Sequence, residues 1–196
     1  MAGYSPEVIR ARDVLTQQMR DLANQTQQEF NDSDRVRVSR DGTFTTVELG
    51  CYSDDFSKTF SRHLLDQDFA ALTGLTSNEP HQVWATVRNP DTPDFDLLGL
   101  EQPEALLEWS ETLDRGYHRT SRLSIYSDGY VESSSEEIRR TLGHPDNADP
   151  LIVAFAQPTV RAETMHTEAR PAELPDIQQA TDVLNAAANK YGLIVR

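Results

Sequence analysis

The chain has 196 residues and a formal net charge of −14 at pH 7, with 37% apolar and 26% charged residues. A chain this long buries roughly 70% of its unfolded surface, and its spread of aromatic and β-branched residues rules out a disordered polymer. Nucleic-acid affinity rests largely on neutralising phosphates, so the charge argues against duplex nucleic acid as a partner, and an anionic membrane surface is disfavoured in the same way.

In chain order, Ser5 suits a helix N-cap, Pro6 the first helical position and Glu7 the positive end of the dipole. Val8, Ala11, Leu15, Met19, Leu22 and Phe30 then fall on one stripe, and Gln17, Gln18, Gln25, Gln27 and Gln28 crowd the rest of the helix. After the loop-like Asn31-Asp32-Ser33-Asp34, "RVRVSRDGTFTTVEL" (Arg35 to Leu49) sets two alternating segments around Asp41-Gly42. That is a hairpin signal, because a primed turn needs the positive φ that Gly and Asp tolerate. Ser53-Asp54-Asp55 opens a helical region with Phe56, Phe60, Leu64, Phe69 and Leu72, stopped by Gly74, and "HQVWATVRN" (His81 to Asn89) alternates as a strand.

The stretch from Asn89 to Pro103 holds three Pro, three Asp and a Gly, and marks the clearest internal boundary. Beyond it, Pro103 opens a predicted helix with Leu106, Trp109 or Ser110, Leu113 and Tyr117. A second hairpin follows around Asp128-Gly129. Ser134-Ser135-Glu136-Glu137 reads as a capping box for a short helix with Ile138 and Leu142, ended by Gly143. "PLIVAFAQP" (Pro150 to Pro158) reads as a buried strand, and Arg161 to Leu174 as a connector. A last helix opens at Pro175-Asp176, buries Ile177, Leu184, Ala188 and Tyr191, and ends at Gly192 before a short strand, "LIVR".

The expected fold class is α+β: a mainly antiparallel sheet with helices packed on one face. It carries an αββαβ pseudo-repeat, with units at 1–90 and 103–158 and a connector plus C-terminal helix at 159–196, all in one compact globular unit. Duplication and convergence on the common Asp-Gly hairpin both account for the repeat.

Chemistry is thinly signalled. Cys51 stands alone, so no intramolecular disulfide forms; its reading as a small buried side chain outweighs that of a nucleophile with His63 as base. His63, His81, His118, His144 and His166 do not pair at metal-ligand spacing. Asp91, Asp94 and Asp96, and Asp146 with Asp149, lie in acidic loops, but Leu97 and Leu98 break the calcium-loop pattern and Asp and Pro are ordinary turn residues. The nine glycines stand singly, and no phosphate loop or hydrolase motif occurs. No cofactor and no metal are therefore expected, and the balance leans away from an enzyme. Trp84, Trp109, Tyr117, Tyr126 and Tyr130 fall near hairpins or helix ends, where they serve either as core or as interface anchors.

The helix-then-hairpin opening, over about the first 75 residues, is similar in outline to YbaB-type nucleoid proteins and to acidic secretion chaperones. The net charge argues against the nucleoid reading. The leading expectation is a non-catalytic protein-interaction or assembly protein, either a phage or virion component or a chaperone or adaptor. The first helix is its expected self-association or docking element, through Leu15, Gln18, Met19, Leu22 and Gln25. The competing expectation for that stripe is simple packing on the first hairpin. Alternatives for the whole chain are a small-molecule-binding protein or enzyme with a pocket between sheet and helices, and an acidic inhibitor that mimics nucleic acid. No signal peptide and no membrane span are read, so a cytoplasmic location, or the virion if phage-encoded, is expected. The Arg-rich, Lys-poor basic set fits a bacterial or phage source with GC-rich coding, and a salt-adapted proteome would give the same acidity and scarcity of Lys.

Overall fold

A computed structural model describes residues 3–26, 36–50, 80–92, 102–112, 117–143 and 159–195. They form an antiparallel sheet of seven strands with two helices on one face: an α+β fold. The strands are β1 (Val36–Arg40), β2 (Phe44–Leu49), β3 (Pro80–Arg88), β4 (Ala105–Thr112), β5 (Tyr117–Ile125), β6 (Val131–Gly143) and β7 (Thr159–Pro171). Their order in the sheet is their order in the chain. The helices are α1 (Pro6–Gln25) and α2 (Leu174–Lys190).

The ends of both helices follow their sequence signals. Ser5 Oγ accepts from Val8 N at 3.3 Å, and Pro6 supplies the first turn, where no N–H is needed. α2 stops in a left-handed Gly192 (φ +75°). Gly192 N bonds Asn189 O and Leu193 N bonds Ala188 O, which is the paired-bond stop that glycine favours. Leu193 is buried beyond that stop, and residues 193–195 do not form the predicted last strand.

The core lies between the sheet and the helices. Val36, Val47, Leu49, Val83, Ala85, Val87, Ala105, Leu107, Leu123, Ile125 and Val131 project from alternate strand positions. α1 lays Val8, Leu15, Met19 and Leu22 on them, and α2 lays Ile177, Ala180, Leu184 and Ala188. Burying each of the larger side chains contributes about 1.5–3 kcal/mol.

The second half departs from the expected pattern. The predicted helix after Pro103 is strand β4, with Ala105, Leu107 and Trp109 buried and Leu106, Glu108 and Ser110 on the opposite face. Leu106, Trp109 and Ser110 fit a helical spacing, but 105, 107 and 109 fit a period of two, and pairing with β3 and β5 selects the strand. The supposed capping box at Ser134 lies inside β6, where pairing to β5 and β7 provides backbone partners that a short helix would not. The connector from Arg161 is β7. The αββαβ pattern therefore does not recur in the second unit, and one sheet spans both units, with β3 and β4 paired across 89–103. The predicted helix at 53–72 and the strand at 150–158 lie outside the described residues.

Candidate functional site

The five residues expected to form an α1 interaction surface divide sharply. Leu15 (0% exposed), Met19 (1%) and Leu22 (0%) face the sheet, so the stripe is spent on the chain's own core. Gln25 is exposed, and Gln18 is half-buried with its Oε1 lacking a hydrogen-bond partner among the described residues. The exposed large apolar side chains of α1 are Val14 (54%), next to Leu15 in sequence, and Ile9 (37%). Val14 and Ala11 on α1, with Thr181 on α2, line a groove of about 490 Å³ flanked by Arg10, Asp182 and Gln178. Gln18 and Gln25 continue the Val14 side of α1 at helical spacing.

A second feature follows from the register. On the helix-facing side of the sheet, cross-strand neighbours form rows. Leu107, Leu123, Ser133 and Arg170 make one row; Trp109, Ser121, Ser135 and Glu168 the next; Glu111, Arg119, Glu137 and His166 the third. The face thus turns from apolar to charged within two rows, and towards β7 it is polar throughout. A cavity of about 360 Å³ opens there, walled by the last two rows and by Asp176 and Gln179 of α2.

The charged groups of this cavity are unevenly matched. Arg119 gives both Nε (2.9 Å) and Nη2 (2.5 Å) to Glu137 Oε1. Its Nη1 stands 3.9 Å from Glu111 Oε2, beyond hydrogen-bond reach. The Glu111 side chain is only 14% exposed, and burial pushes its carboxyl up, against the pull of Arg119. Asp176 is saturated: Arg170 grips it with both ends of its fork at 2.7 and 2.8 Å, and Glu173 N donates at 2.7 Å. Burial works to raise the Asp176 carboxyl, but the Arg170 fork and the Glu173 N–H outweigh it and hold the group below the usual range. Trp109 is 4% exposed, and its Nε1 has no hydrogen-bond partner among the described residues.

A third cavity, of about 570 Å³, lies by the C-terminal end of α1, between Arg20, Thr45, Asn89 and Glu104. Those four side chains are paired with one another: Arg20 with Glu104, and Thr45 Oγ1 with Asn89 Oδ1 at 2.6 Å.

Sequence reading singled out Trp109 but not Glu111, Arg119 or Ser121, whose grouping depends on strand register. Cys51, His63, His144, Asp94, Asp96, Asp146 and Asp149 lie outside the described residues, and Asp91 is exposed in a turn. Among the described residues, no group of three or more His, Cys, Asp or Glu side chains is placed to hold a metal ion, and no helix is long and apolar enough to cross a membrane. No family model matches the chain, and comparison with curated proteins and with solved structures returns no match.

Proposed function

We propose that the chain is a non-catalytic protein-interaction or assembly protein that receives a protein partner in the groove between α1 and α2. The observation that carries this reading is Val14, a large apolar side chain left 54% exposed at the wall of an interhelical groove. An apolar centre with a charged rim, here Arg10 and Asp182, is the arrangement by which helices and extended segments of partners are received. Docking thus uses the side of α1 next to the predicted stripe, because the stripe itself holds the fold together.

Sedimentation of the wild type and Val14→Glu tests the proposal, with circular dichroism as the folding control. Concentration-dependent association in the wild type, lost in a folded Val14→Glu variant, identifies a second copy as the occupant. If the wild type is monomeric, a photo-crosslinking residue placed at Val14 should capture one discrete protein in the producing cell, and capture should stop when Ala11 is changed to Glu. A monomer that forms no discrete adduct overturns the proposal.

A further inference from the structure

We propose that the occupant of the α1–α2 groove is a second copy of this chain, set about a twofold axis that runs along the groove and joined by reciprocal ion pairs between Arg10 and Asp182. The inference rests on the docking reading above and names its partner.

Charge distribution is the first observation. The chain carries −14 overall, yet α1 holds three Arg against three acids, and α2 one Lys against two acids. The two helices thus account for a net charge of −1. Like charges brought face to face oppose association, so a chain this acidic meets itself with least repulsion through its helical layer.

The second observation is how the helix charges are used. Arg12 pairs with Asp13, Arg20 with Glu104 and Asp176 with Arg170. Arg10 and Asp182 are exposed, lie on opposite walls of the groove and have no ion-pair partner among the described residues. One uncommitted cation and one uncommitted anion therefore flank the apolar strip of Ala11 and Val14.

That arrangement is complementary to itself, which is the condition a twofold interface must meet. Rotation about an axis along the groove sets the α1 wall of each copy against the α2 wall of the other. Arg10 of one copy then faces Asp182 of the partner subunit, and the pair is formed twice. Val14 lies against the opposite α2 wall, which covers a side chain left 54% exposed in the single chain. A uniformly acidic partner would leave Asp182 against like charge, and a uniformly basic one would do the same to Arg10. The groove spans about one turn of each helix, so the dimer belongs to the weak, reversible class.

Sedimentation equilibrium of the full chain, of Arg10→Asp, of Asp182→Arg and of an equimolar mixture of the two variants tests the assignment, with circular dichroism as the folding control. The wild type should dimerise with a Kd of about 100 µM or tighter. Each variant alone sets like charges against each other in both pairs, and its self-association should weaken about tenfold or more. In the mixture one copy presents carboxylates on both walls and the other guanidiniums, so a heterodimer should form about as tightly as the wild-type dimer. Association that survives in both folded variants, or that the mixture fails to restore, overturns the proposal. A wild type that is still monomeric at about 1 mM chain overturns it too. If that monomer yields one discrete foreign adduct from a crosslinker at Val14, this inference falls and the docking reading stands; with no adduct, both fall.

Discussion

Asp-Gly occurs at two turns of this sheet, and the two turns are used differently. Between β1 and β2, Gly42 (φ +92°) sits at an open tip where an added Cβ would meet no atom within 4 Å. Asp41 Oδ1 accepts from Thr43 N (2.9 Å) and Phe44 N (2.7 Å), so the turn is organised partly by its own residues, with two ties from the segment after β3: Thr92 Oγ1 to Gly42 O and Asn89 N to Thr43 O. Between β5 and β6, Gly129 (φ +86°) has the same conformation and a similar internal bond, Asp128 Oδ1 to Tyr130 N at 2.8 Å. Here, however, α1 closes over the turn. Arg12 Nη1 donates to Gly129 O at 2.9 Å, and Tyr4 Oη both donates to Val131 O (2.8 Å) and accepts from Val131 N (3.1 Å). One local signal makes a hairpin tip held by the residues just after β3 at one site and a docking point for the N-terminal helix at the other.

If that contrast is right, Gly129→Val should be the most damaging change. It strains a left-handed residue, and its Cβ would lie 2.6 Å from Arg12 Nη1, displacing the guanidinium. The loss in chemical denaturation should be about 3 kcal/mol, from about 1–3 for strain and about 1 for the hydrogen bond. Gly42→Val should lose only the strain, about 2 kcal/mol. Equal losses would remove the distinction between the turns, whereas a smaller loss for Gly129→Val in an Arg12→Ala background would sharpen it. Tyr4→Phe should cost about 1 kcal/mol by removing the phenol oxygen that Val131 N donates to; Val131 O keeps its bond from Ala172 N.

The smallest effect is a titration. Hydrogen bonds from Phe44 N and Thr43 N hold the Asp41 carboxyl below its usual range, so ionised Asp41 favours the folded turn. That contribution is complete above the ordinary carboxylate range and disappears as pH falls through the lowered folded value. Amide exchange at Thr43 and Phe44, corrected for its intrinsic pH dependence, should lose protection over that acid window. An Asp41→Asn variant should show no such step.

The first hairpin, β3 and both helices were legible because each carries its signal within a few residues. Ser5-Pro6 starts α1, Gly192 stops α2, and Val83, Ala85 and Val87 alternate on β3. β4, β6 and β7 were not legible for a common reason: their strand state comes from neighbours. "VESSSEEIRR" has few strand-favouring residues and a local capping pattern, yet it is paired on both edges along β6. The same nonlocality hid the polar cavity. Glu111, Arg119, Glu137 and His166 form one row only when four strands are in register. Trp109 was visible as an aromatic side chain, but its unpartnered N–H is a property of the packed structure. In α1 the sequence located the apolar stripe from Val8 to Leu22, while Phe30, its expected last member, lies outside the described residues; the destination of the stripe, the sheet or a partner, depended on how much of the helix the sheet could cover.

Strand order that matches chain order has a bearing on biosynthesis. Each described strand can add beside the described strand made before it, so this sheet can grow by stepwise addition as the polypeptide lengthens. Closing the core is different. Tyr4 waits for Val131, and the surface around Val83, Leu107 and Leu123 waits for Ile177, Ala180, Leu184 and Ala188 of α2, which are made after all seven strands. Until then the nascent sheet presents an apolar face suited to chaperone capture or to mispairing with another chain. A ribosome stalled before Leu174 should therefore carry a protease-sensitive, chaperone-bound intermediate, and release from the chaperone should coincide with emergence of α2 from the exit tunnel.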